Sequence, residues 1–102
     1  MAAQMEIGRA QKRFSVTVPV RIASLDRPGL VEPAMTENVS LFGTRILVKD
    51  TWRPNERAIV VSQGGLYPCE ARVVYCQRLN TGATAVGLQL ARARPDWVRS
   101  AG

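Results

Sequence analysis

Two short clusters of polar residues are the places in this chain where chemistry could be done. Near the N-terminus, Arg9 and Arg13 stand four apart, with Lys12 between them. Two guanidiniums at that spacing can grip two anionic or hydrogen-bonding groups of one ligand. The planar fork of an arginine matches phosphate oxygens, and the O6/N7 edge of a guanine, bidentately. Further on, Asn38, Ser40 and Gly43 follow one another as Asn-x-Ser-x-x-Gly. On a strand, Asn38 and Ser40 share one face and point outward, while Val39 and Leu41 take the core side. Gly43 lacks a Cβ, which permits a tight turn at positive φ and a close approach of ligand to backbone. Each cluster has a plain alternative: a solvated basic tail for the first, a polar strand edge ended by a turn glycine for the second.

The composition narrows the classes. At 102 residues and 46% hydrophobic, the chain fits one domain with one modest core. The net charge is +6, and 12 of the 14 basic residues are Arg, only Lys12 and Lys49 being Lys. That bias suits a phosphate-bearing partner, although genome composition produces it too. There is no His, so the commonest general base and metal ligand is missing. Cys69 and Cys76 fall on one predicted strand, roughly 23 Å apart at about 3.3 Å per residue, too far for a disulfide. Two thiols without His make neither a typical zinc site nor an activated nucleophile. The carboxylates are scattered, with no close pair suited to acid–base work. The expectation is a non-enzyme without metal or cofactor. No apolar run approaches the roughly 18 residues of a membrane span. The first residues also lack the basic start and apolar stretch of a signal peptide, so the expected location is cytoplasmic.

The elements that must position these residues read as strands. Phe14, Val16, Val18, Val20 and Ile22 alternate with Ser15, Thr17, Pro19 and Arg21, which predicts a strand over 14–22. Pro19, without an N–H, suits a sheet edge or bulge. Further strands are expected near 34–41, 44–49, 57–62, 67–78 and 83–90, separated by turns at 26–29, 52–55, 63–65 and 79–82. Six short strands with such turns predict an all-β fold, a six-stranded antiparallel barrel. The tail from 91 to 100 predicts a short C-terminal helix, with Trp97 packed on the barrel. Residues 1–8 read as a flexible lead-in to a domain over 9–102.

The order of the two clusters, and the strand between them, resemble the PilZ domain, the bacterial receptor module for cyclic di-GMP. Arg9–x–x–x–Arg13 and Asn38–x–Ser40–x–x–Gly43 match its two motifs, with Asn where many relatives have Asp. Arg72-Val-Val-Tyr75 and Val86-Gly87-Leu88 resemble its paired late strands. The resemblance implies cyclic di-GMP as ligand, bound by Arg9, Arg13, Asn38, Ser40 and Gly43. Lys12 is a further phosphate contact under it, and Tyr75 an aromatic that meets a guanine, as in some relatives. Gly8 departs from the family, which often has a second Arg there. The resemblance implies an effector protein as partner, read through ordering of the Arg9–Arg13 segment. The alternative is a small basic barrel that binds single-stranded nucleic acid. With only two each of Trp, Tyr and Phe, stacking platforms are few, so that partner is not the expected one.

Overall fold

The computed structural model describes residues 12–62 and 68–93. Six antiparallel strands follow in chain order: β1 (Pro19–Ser24), β2 (Val31–Ser40), β3 (Gly43–Val48), β4 (Arg57–Ser62), β5 (Cys69–Arg78) and β6 (Thr84–Leu90). They close into a barrel in the order β1-β2-β3-β6-β5-β4. Closure gives every strand two neighbours, although β4 pairs with only the first part of β5, Cys69–Arg72. Inward alternate residues fill the interior: Ile22, Val39, Ile46, Val60, Val73 and Val86 are all fully buried. β-branched side chains pack well on a pleated surface, which is why Val and Ile dominate here.

The first predicted strand is corrected. The alternation from Phe14 to Ile22 is kept in the burial, but the ladder of β1 begins only at Pro19. Residues 14–18 run beside β2 instead. Phe14 exchanges backbone hydrogen bonds with Val39, and the hydroxyl of Thr36 accepts from the Val18 N–H and donates to the Val16 carbonyl. A side chain thus replaces a ladder partner, something the alternation does not encode. Pro19 takes the first position of its strand, where a missing N–H costs least. Leu41 is a second correction. It opens the β2–β3 turn and is exposed, while Val39 alone takes the core position.

Turn chemistry follows the sequence elsewhere. Gly29 and Gly82 take positive φ, as does Asn55 at 72°. Two buried carboxylates tie down the loops at one end. Glu32 accepts from the backbone N–H groups of Lys49 and Asp50 and from the Trp52 indole. Glu56 accepts from the Ser24 hydroxyl, the Arg27 guanidinium and the Arg53 N–H. Both cysteines are free thiols, and burial pushes the Cys76 thiol up, keeping it neutral. The predicted 63–65 turn and C-terminal helix with Trp97 lie outside the described residues.

Candidate ligand-binding face

Each of the two outer strands of the candidate face carries one extra residue. In β2 the register against β3 shifts between Thr36 and Asn38, leaving Glu37 as a bulge. In β5 the register against β6 shifts between Val73 and Tyr75, leaving Val74. Thr36 and Val73 point inward and are buried. Strict alternation would therefore send Asn38 and Tyr75 inward as well. Each bulge resets the parity, so Asn38 and Tyr75 face out while Val39 and Cys76 turn toward the core side.

The result is one row across the outside of the barrel. Asn38 pairs with Arg45, Arg45 with Gly87, and Gly87 with Tyr75. Arg13 reaches this row from before β1, its Nη1 donating to Asn38 Oδ1 at 3.2 Å. The structure therefore brings the described half of the first motif into contact with the second. Lys12 is exposed, with its ammonium 5.7 Å from the centroid of the Phe14 ring. Arg9 lies outside the described residues.

Arg45 is the residue that sequence reasoning missed. Its Nε donates to Glu37 Oε1 at 2.7 Å, its Nη1 to the Tyr75 hydroxyl at 3.3 Å, and its guanidinium carbon lies 5.8 Å from the Tyr75 ring centroid. The Glu37 carboxylate, and after it the Tyr75 hydroxyl, hold Arg45 further into its charged form. The signal was available. Arg45 stands between core positions Thr44 and Ile46, so period-two alternation places it outside, two residues past Gly43.

Gly87 explains how Tyr75 sits. A Cβ at Gly87 would run into the Tyr75 ring. The ring therefore fills the space left above the glycine, 39% of the residue exposed, with a cation against it. A purine could stack on that face.

Ser40 and Gly43 differ in geometry from what was expected of them. The register puts Ser40 on the outward side with Asn38, but it is 0% exposed, and its hydroxyl donates to the Gly43 carbonyl at 3.3 Å. Gly43 does not take positive φ. A Cβ there would be crowded for another reason: it would sit 3.1 Å from the Leu88 carbonyl oxygen, where β3 and β6 approach closely. The pair thus sets the β2–β3 turn and the spacing of the sheet beneath the row.

Among the described residues, no three of His, Cys, Asp and Glu gather to hold a metal. Among the described residues, no helix is long and apolar enough to cross a membrane.

A search of curated proteins finds no match. Among solved structures, the inhibitor of motility (MotI/DgrA) of Bacillus subtilis is similar, with a TM-score of 0.66 at 13% identity. The match covers 89% of this chain and 46% of that one, so the chain spans less than half of that protein's length. At that identity the likeness speaks for the fold. The family model of the PilZ domain matches residues 8–96, from just before Arg9 to past β6. A match over most of the chain, on a closed six-stranded barrel, makes the chain a member of the PilZ domain family, a family of cyclic di-GMP receptor-type domains.

Proposed function

We propose that this domain binds cyclic di-GMP on the outer row formed by Arg13, Asn38, Arg45 and Tyr75. The observation that carries the reading is the hydrogen bond between Arg13 and Asn38, which joins two motifs 25 residues apart. Arg13, Lys12 and Arg9 supply the cations for two phosphates or for guanine edges. Asn38 offers a small amide on the same face. Tyr75 supplies a flat aromatic floor for a guanine, and Arg45 holds it there. Ser40 and Gly43 support the site from beneath by fixing the turn. The protein acts as a receptor rather than an enzyme. Ligand contact orders the Arg9–Arg13 segment over the row, and an effector protein reads the changed surface.

An NMR titration with cyclic di-GMP tests this. The amides of Arg13, Asn38, Arg45 and Tyr75 should shift together, and those of residues 9–13 should gain protection from exchange. Ile59 and Val61, on the outside of β4, should stay still. Shifts spread over all basic surfaces would point to the nucleic-acid reading instead.

A further inference from the structure

We infer that the barrel carries a second recognition surface, an apolar groove on the outside of β4-β1-β2-β3 that takes an acidic amphipathic helix of a partner protein. An antiparallel sheet ordinarily turns polar residues to water. On β5 Glu70, Arg72 and Gln77 are exposed, and the apolar exceptions are confined to Val74 and Tyr75 at the bulge. The other side of the barrel does not follow this rule. Across it run outward pairs that are apolar on both strands: Pro19 with Met35, Met35 with Leu47, and Ala23 with Val31. Ile59 and Val61 continue the face onto β4 through their pairing with Ala23 and Arg21. Met35 is 43% exposed and Val31 48%. Scattered apolar residues on a surface need no explanation, but a contiguous sheet face of them marks an interface.

This face is concave. Part of it forms a groove of about 800 Å³ lined by Pro19, Pro33, Met35, Leu47 and Val61, with Ala23, Val31 and Ile59 beyond its end. The closed barrel leaves no strand edge there, so an occupant cannot join by strand addition. It has to pack side chains, and a helix does so with one apolar stripe of i, i+3, i+4 and i+7 residues.

The charge at the groove selects the kind of helix. Arg21 lies within it and Lys49 at the end of β3 flanks it. Both are exposed, and among the described residues neither meets a carboxylate. Arg27, Arg45 and Arg57, by contrast, each hold an acidic partner. A helix with Asp or Glu beside its apolar stripe satisfies both cations. A second copy of this chain, at net charge +6, would set like charges against each other. The groove also adjoins the ligand row: Met35 with Leu47 is the outward pair next to Asn38 with Arg45, across the Glu37 bulge. The chemistry of the groove does not depend on which ligand that row takes.

Photocross-linking in the native cell tests the inference. A benzoylphenylalanine is placed at Met35 or Leu47 of the full chain, with Gln77 on β5 as the control site. The expected result is an adduct to another protein from positions 35 and 47 but not from 77, joined through an acidic amphipathic helix. The double variant Arg21→Glu, Lys49→Glu should keep its melting temperature and lose about tenfold of that adduct. An adduct between copies of this chain, or with its own residues 94–102, would overturn the inference. So would an adduct that survives the charge reversal, one through a basic or non-helical segment, or no adduct at all.

Discussion

Arg13 Nη1 donates to Asn38 Oδ1 at 3.2 Å, and both residues are solvent-accessible. The contact joins a residue before the barrel to the face opposite the Val39 core position, so its loss should leave the core untouched. Arg13→Ala is expected to cost about 1.5–3 kcal/mol of cyclic di-GMP binding, as for a charged hydrogen-bonding partner. The melting temperature without ligand should barely move. A large loss of stability with unchanged affinity would make Arg13 a structural residue.

Tyr75 lies where Gly87 has no side chain. Gly87→Ala should push the ring off the sheet and break its contact with Arg45. Because the ring stands at the surface, the fold should lose less than about 1 kcal/mol. Binding should weaken by about 1–2 kcal/mol, close to the effect of Tyr75→Ala, if the ring is a stacking floor. Calorimetry on both variants decides. Normal affinity in Gly87→Ala beside weak affinity in Tyr75→Ala would mean that the position of the ring is not set by the glycine.

Gly43 is held by space rather than by φ. Gly43→Val should destabilise the barrel by about 1–3 kcal/mol, because the Leu88 carbonyl is backbone and cannot simply turn away. Gly43→Ala should cost less. A thermal melt of Gly43→Val that matches the parent would contradict the close approach of β3 and β6.

Glu56 ties the loops to stability against acid. The Arg27 hydrogen bonds, helped by Ser24 and the Arg53 N–H, hold its carboxyl below the ordinary value of 4.5, against the opposing effect of burial. A depressed folded value means the stabilisation is present above the unfolded value and is lost as pH falls through the folded one. Thermal stability should therefore be flat above about pH 5.5 and fall on further acidification. Glu56→Ala should cost about 2–3 kcal/mol at neutral pH, less than a fully buried pair because Arg27 is partly solvated. It should also remove part of the acid dependence. An unchanged acid slope would assign that dependence to other carboxylates.

Much of this was legible in the sequence, for physical reasons that differ by element. The β3, β4 and β6 positions followed from plain alternation and from turns built on Asn55 and Gly82. The parity of Val39 against Asn38 was legible as well, because an apolar residue flanked by polar ones fixes its own face. The bulges were not. Thr36 and Glu37 are both polar, and Val73 and Val74 are identical, so nothing in either pair says which residue is extra. Ser40 looked exposed because a small polar residue near a turn usually is; its burial depends on neighbours distant in sequence. Arg45 was passed over because it follows the second motif rather than forming part of it.

The central claim is that the row is a site for one second messenger rather than a general polyanion surface. Calorimetric titration of the full chain with cyclic di-GMP at moderate salt tests it most directly, with linear GMP, cyclic di-AMP and a random single-stranded oligonucleotide as comparisons. The account predicts saturable binding of cyclic di-GMP at one localised site, and much weaker binding of the other three. Equal or tighter binding of the oligonucleotide, falling steeply with salt, would contradict it.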